Sequence, residues 1–394
     1  MEKRKVVSSH AIPFWRDIRV LRVVSQIVFL VAIAAGIWWL LNNLQTNLRN
    51  SGLSITFRFL GDTAGFPISE GLTYDPTNVN VYAFLVGVVN TIRVAVIGIV
   101  LATIIGTLVG ISRLSSNWLV RRLAALYVET VRNIPLLVQL FFWYFAVMLT
   151  ALPLVKDSIS LPGSIYLSRR GLYLPSLVPT ASFSVWLWFL LGGLALAIVV
   201  YVLRRAQLKR ADRPGIPIGW AAIALVLVAV AGWFIVSGNP LSIDLPVLKR
   251  FNFEGGLWLS TPFASLVLGL AMYTGAFIAE IVRAGILAVS KGQTEAAKAL
   301  GLRKALVLRL VVMPQALRVI IPPLASQYLN LTKNSSLAIL IGYYDLLNVG
   351  TTIFNQTGRA VEMILLIMGS YLTMSLFMSL LMNLYNRRIK LVER

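Results

Sequence analysis

Eight runs of mostly apolar residues divide this chain, at 25–41, 81–111, 134–152, 182–203, 216–236, 261–287, 319–347 and 361–385. A helix that crosses a bilayer needs about 20 such residues. The pattern therefore predicts an all-α, polytopic transmembrane helical bundle of about eight spans. The polar intervals between the runs differ in kind. Residues 42–80 are rich in Gly, Asp and Pro and are expected to pack as irregular structure over the following helix. Residues 151–257 read as an inserted module with two spans of its own, joined by the short basic stretch from Arg204 to Arg210. Those two spans carry few polar residues, which places them at the lipid-facing periphery, since helices along a polar route show polar residues on one face. The expected organisation is a tail, an anchor helix and an outer loop over 1–80, then a membrane domain over 81–388 interrupted by 151–257.

Composition agrees with this. The 394 residues are 58% hydrophobic and only 13% charged, whereas a soluble domain is about 45–50% apolar and about 25% charged. The net charge of +21 would suggest nucleic acid in a soluble protein. Here the basic residues flank apolar runs, so they read as topology signals, with lipid rather than nucleic acid as the surrounding partner. Cytoplasmic loops carry the Lys and Arg excess. Starting inside, the N-terminal tail and the segments 113–122, 204–213, 283–318 and 387–394 would hold most of the 36 basic residues. Both termini are then cytoplasmic in a multi-pass membrane protein. The first run follows Lys3, Arg4 and Lys5 but is long, ends in Trp38 and Trp39, and precedes no small-residue cleavage site, so it reads as a retained anchor. With no cysteine and a lone histidine, His10, there is no thiolate chemistry and no His-based metal site.

The stretch from Lys291 to Pro314 is polar between two apolar runs. It opens on Ser290-Lys291-Gly292-Gln293, the S-x-x-Q spacing of a capping box. An Ala-rich, helix-favouring segment, Thr294 to Leu300, follows. Gly301 then ends it, because the residue just past a helix often needs the left-handed conformation. A short surface helix results, with small side chains for close packing and one acid and one base for orientation. Glu295, Ala296, Ala297, Gly301 and Pro314 stand at the spacing E-A-A-x3-G-x9-I-x-L-P, with Val311 and Met313 in place of the Ile and Leu. This resembles the loop by which membrane subunits of ATP-binding-cassette importers engage their ATPase.

Further stretches carry the same resemblance: Gly275 to Ile286 before the loop, Pro314 to Arg318 after it, Asn330 to Leu337, and Tyr127 to Gln139 upstream. From about Val81 to Tyr385 the chain resembles the polar-amino-acid branch of the type I importer permeases, and within it the long permease subunits of general L-amino acid systems. The resemblance implies a MetI-like core, here with an extra N-terminal anchor helix and a two-helix insertion. It implies a permease that moves L-amino acids, polar and acidic ones among them, rather than an enzyme. It also implies two ATPase subunits that use ATP and Mg, a second related permease subunit and a periplasmic amino-acid-binding protein. The chain has no Walker sequence G-x4-G-K-[ST], so it is expected to bind no cofactor and nucleotide chemistry falls to a partner. An ion-coupled secondary transporter is the alternative, but it would show internal repeats and discontinuous helices with buried acids.

Ions within spans cost about 2.5–3.5 kcal/mol on insertion scales, so each needs a reason. Lys333, Asn334, Ser335 and Ser336 fall near the middle of the seventh run and are candidates for the wall of a translocation pathway. Arg93, beside Asn90 and Thr91, is another, with Glu280 as a possible partner. Gln139 is a third, at the start of the third run's polar face. Glu129 and Arg132 are expected to form a structural ion pair. Arg359 and Glu362, at the outer end of the last run, are candidates for docking the binding protein.

Overall fold

The computed structural model describes residues 17–50, 54–211 and 215–389. The tail with Lys3 to Lys5 and His10, part of the 204–213 loop and the last five residues lie outside the described residues. Among the described residues, seven helices are long and apolar enough to cross a membrane, and eight spans result when one sharply bent pair counts as a span.

The first helix, α1 (Ile18–Asn50), runs further than the apolar pattern suggests. Polar residues 42–50 extend it, because adding a residue to an existing helix is far easier than starting one. The outer loop that follows packs Phe59, Ala64, Phe66 and Ile68 against Ala83, Phe84 and Val86 of α2 (Asn80–Ser112). It is irregular and yet belongs to the core.

Helix α2 is the spine of the molecule. Gly98, Ala102, Gly106 and Gly110 recur every fourth residue and form one small-residue stripe. A Cβ at Gly106 would sit 2.5 Å from Ile278 and 2.8 Å from the Gly275 carbonyl of α7 (Thr261–Leu287). The two backbones therefore touch, which is how helices associate where lipid supplies no hydrophobic drive.

The expected third span, 134–152, is one helical segment entered through a sharp bend. Helix α3 (Trp118–Asn133) meets α4 (Leu136–Phe141) at 107°, and α4 continues as a wide-turn helix over Phe142–Ala151. The bend falls at Ile134, which is extended (φ −96°, ψ 128°), as a residue before proline, here Pro135, tends to be.

Residues 151–257 hold α5 (Phe183–Arg210) and α6 (Pro217–Ile235), a hairpin closed where Gly193 meets Leu225 and Val228 and Gly232 meets Phe189. Around it lies structure that the apolar runs do not announce. Strands β1 (Ile159–Leu161), β2 (Ile165–Ser168) and β3 (Gly171–Leu174) join β8 (Leu257–Ser260) in an antiparallel sheet. Two smaller sheets pair β4 (Ser176–Pro179) with β5 (Leu241–Asp244), and β6 (Val247–Leu248) with β7 (Phe253–Glu254). The strands are two to four residues long, too short for period-2 patterning to stand out, and the molecule remains an α-helical bundle.

The expected seventh span is not one helix. After α8 (Lys291–Ala299) and α9 (Lys304–Val307), a wide-turn segment over Leu308–Val312 leads into α10 (Met313–Asn334). A tighter 3₁₀ turn over Ser335–Ile341 follows, and the chain reverses into α11 (Leu346–Thr357) before the last helix, α12 (Ala360–Ile389).

Candidate functional site

The surface helix α8 forms where the Ala-rich stretch predicts it. Ser290 takes the extended N-cap conformation, but its side chain makes no capping bond. The capping box is replaced by a backbone turn, in which the Gln293 amide donates to the Ser290 carbonyl at 3.1 Å. The other end is closed as expected. Gly301 has φ +77°, its amide donates to Lys298 O at 2.9 Å, and the Leu302 amide donates to Ala297 O at 3.2 Å. This pair of bonds is the Schellman closure, normally accompanied by an apolar contact across it. That contact is present, since Leu302 packs on a cluster of Ala297, Val307 and Val312.

Ala297 is thus the inward anchor of the helix, only 4% exposed. Glu295, Ala296, Lys298 and Gly301 face outward, and Leu300 is 82% exposed. A Cβ at Gly301 would meet nothing within 4 Å. Pro314 enters at the first turn of α10, just after the wide-turn segment. Its missing N–H removes one helical bond there. The whole 290–314 element presents small residues together with the exposed charges of Lys291, Glu295, Lys298, Arg303 and Arg309, on a base anchored by Ala297.

The residues read as pathway candidates are distributed differently from the sequence expectation. The group from Lys333 to Ser336 lies not mid-helix but across the end of α10 and the start of the 3₁₀ turn. Ser335 is buried and donates to the Thr332 carbonyl at 2.7 Å, while Ser336 donates to the Lys333 carbonyl at 2.8 Å. Lys333 is exposed and Asn334 half-buried. The hydroxyls bond their own backbone, and only Lys333 and Asn334 keep side-chain groups for another molecule.

Arg93 does not pair with Glu280. It stacks over Phe263 at 5.4 Å and lies 3.5 Å from Asn90 Oδ1. Glu280 instead bridges Arg113 and Arg283 at the opposite end of α7. The acid facing Arg93 is Glu70 of the outer loop, which accepts from the Ser260 hydroxyl. Burial raises the Glu70 pKa, while Ser260 and then Arg93 draw it down. Gln139 is buried at the α3–α4 bend, where its amide donates to Val131 O at 2.7 Å and Ile134 O at 2.9 Å. It supplies donors to carbonyls freed by the bend, so the expected polar face does not form. Arg132 stacks over Phe277 at 5.0 Å, and no Glu129–Arg132 ion pair occurs among the described residues.

A buried polar centre connects these parts. The Asn90 amide donates to Glu70 O at 3.2 Å and to Tyr344 O at 2.9 Å. Thr91 accepts from the Leu346 amide at 2.9 Å. Asp345, with no exposed surface, caps α11 by accepting from the Asn348 amide at 2.9 Å and also accepts from the Tyr371 hydroxyl at 3.2 Å. Asn90 lies ten residues into α2, so the outer loop and the α10–α11 reversal reach about 15 Å down that helix. Irregular backbone at such depth is tolerated only when protein or water satisfies it. Asp345 and Glu70 were not singled out from sequence. The lone acid of the run Gly342–Leu347 was a legible signal, because an ion in an apolar run asks for a partner.

Arg359 and Glu362 hold the outer loop rather than standing free. Arg359 donates to Ser54 O at 2.8 Å, Glu362 accepts from the Thr56 amide at 3.1 Å, and the two approach to 3.6 Å. Glu362 is buried, while Arg359 lines an open outer cleft of about 840 Å³ with Thr56, Arg58, Asp62 and Gln356.

Comparison with known proteins bears directly on the 290–314 element. A family model described as binding-protein-dependent transport system inner membrane component matches residues 215–391. The general L-amino acid transport system permease protein AapQ of Rhizobium johnstonii is 48% identical over 94% of this chain and 92% of its own. The putative amino-acid ABC transporter permease protein YhdX of Escherichia coli is 44% identical over 94% of each. The glutamate/glutamine/aspartate/asparagine transport system permease protein BztB of Rhodobacter capsulatus is 40% identical over 96% of each. With the surface helix, its glycine closure and the surrounding spans in place, this chain belongs to the family of inner membrane components of binding-protein-dependent transport systems.

Proposed function

We propose that this chain is the permease subunit of an ATP-binding-cassette importer for L-amino acids, polar and acidic ones included, in a bacterial inner membrane with both termini in the cytoplasm. The observation that carries the reading is the 290–314 element: α8 is anchored by Ala297 and closed at Gly301, and it leaves Glu295, Ala296 and Leu300 free on one surface. A helix pinned in this way moves as one piece with the spans on either side, which a device transmitting a push from a separate ATPase requires. Two copies of that ATPase would use ATP and Mg²⁺, a second permease subunit of related sequence would complete the pathway, and a periplasmic binding protein would deliver the substrate. The names of the three relatives support the substrate class.

Lys333 and Asn334 then stand on the pathway wall, where an ammonium and an amide suit the carboxylate of an amino acid. Arg93, beside Asn90 and over Phe263, faces the same interior from the outer side. Arg359 and the outer cleft are where the binding protein docks. The test is reconstitution of the tagged chain with an ATPase, a second permease and a binding protein from the same organism. ATP-dependent uptake of labelled glutamate and glutamine into vesicles is expected. Failure of the tagged chain to retain any ATPase, together with uptake that follows an ion gradient, would overturn the reading.

A further inference from the structure

The corner between α2 and α3 gathers basic side chains that neither the coupling element nor the interior polar centre uses. Arg113, Trp118, Arg121, Arg122, Ala125 and Arg283 line an open cleft of about 400 Å³. The acid in contact there, Glu280, is shared by Arg113 and Arg283, so the cleft keeps a surplus of positive charge. Arg121 donates to Ser115 O at 3.3 Å, and Arg122 makes no hydrogen bond or ion pair with another described residue. Guanidinium groups left in this way match phosphate well, because their planar donors pair with its oxygens.

Helix α3 decides what brings the phosphate. One face, with Ala124 and Val128, is buried against α7, and Tyr127 donates to Met272 O at 2.6 Å. A second face exposes Leu119, Leu123 and Leu126, spaced i, i+4 and i+7. The third carries Arg121 and Arg122 beside the exposed Trp118. Because α3 lies at 107° to the segment that follows, it runs across the direction of that span rather than along it. A helix in that attitude, with an outward apolar stripe, a basic stripe and an interfacial Trp, lies at the level of the lipid headgroups. None of the lining residues comes from 290–314, and α8 packs on α9 and the wide-turn segment instead.

We propose that this corner is a binding site for the phosphate headgroup of an anionic phospholipid of the cytoplasmic leaflet. The choice of leaflet rests on the topology proposed above; the chemistry of the site does not. The full chain is purified in mild detergent, offered equimolar phosphatidylglycerol and phosphatidylcholine, and its retained lipid is counted by native mass spectrometry. Each interfacial base contributes attraction equivalent to roughly a fivefold change in binding. Arg122→Gln is therefore expected to lower phosphatidylglycerol retention about fivefold, and Arg121→Gln with Arg122→Gln about twenty-fivefold. Phosphatidylcholine retention and thermal unfolding should not change, and Arg121→Lys with Arg122→Lys should retain most of the preference. Unchanged phosphatidylglycerol retention in the single and double Gln variants overturns the site. Displacement of the lipid by millimolar inorganic phosphate would make it a free-anion site. Retained lipid with lost ATPase co-purification would assign the corner to the ATPase. The lipid readout needs neither ATPase nor substrate, so it stands apart from the importer reading, which co-purification tests.

Discussion

Asp345 shows how one side chain can organise a reversal of the chain. Its carboxylate caps α11 and takes the Tyr371 hydroxyl while fully buried. Losing a cap costs about 0.5–2 kcal/mol, and losing one hydrogen bond of the Tyr371 hydroxyl about 0.5–1.5 kcal/mol more. Asp345→Ala should lower stability by roughly 1–3.5 kcal/mol on those terms. Asp345→Asn, which keeps the capping oxygen, should lose clearly less. Thermal unfolding in detergent followed by tryptophan fluorescence separates the two, and equal losses would place the role elsewhere. Asn334 makes the opposite case. It is half-buried, and none of the hydrogen bonds of the buried centre runs through its side chain, so Asn334→Ala is expected to assemble normally and to shift the uptake ratio between acidic and neutral amino acids. Wild-type uptake of every substrate by the assembled variant would remove it from the pathway. The sequence offered Lys333 to Ser336 as one polar patch; the helix end at Asn334 sorts it into Ser335 turned inward and Lys333 left exposed.

At the scale of elements, the surface helix was legible except at its start, where Ser290 makes no side-chain cap. Ala spacing, Gly301 and Pro314 are local signals, and the Schellman closure with its Leu302 contact is their local consequence. Gly301→Val isolates the conformational effect, because open space at the Cβ removes steric clash within the chain while the left-handed backbone costs an L-residue about 1–2 kcal/mol. The variant should insert and yet lose most substrate-stimulated ATPase activity in the assembled complex; normal stimulation would sink the coupling assignment. The α2–α7 contact gives a second test. Gly106→Val drives a branched side chain into Ile278 and the Gly275 carbonyl and should cost about 1–3 kcal/mol of stability through overpacking. Melting in detergent measures it, and an unchanged melt would contradict the close approach. The four-residue repeat from Gly98 to Gly110 is written in the sequence but carried no expectation there, and only packing decides which helix it meets.

For the whole molecule, the basic bias sets an orientation that cysteine labelling can read directly, since the chain has no cysteine of its own. Ala211→Cys should react with an impermeant maleimide only after the membrane is opened, and Thr77→Cys in intact spheroplasts. The reverse pattern would invert the topology. That the chain is a membrane bundle with a short surface helix after Leu287 followed from composition, from apolar runs of spanning length and from a motif of local geometry. Each of these is a property of short segments in water or lipid, and so is written in the order of the residues. The Arg93–Glu70 facing pair, the Gln139 brace at the bend, the Glu280 bridge and the reach of the outer loop to Asn90 were decided only by tertiary structure. Each joins groups from different elements, and inside a bilayer a polar group takes whichever partner packing brings within reach, because no water is there to satisfy it.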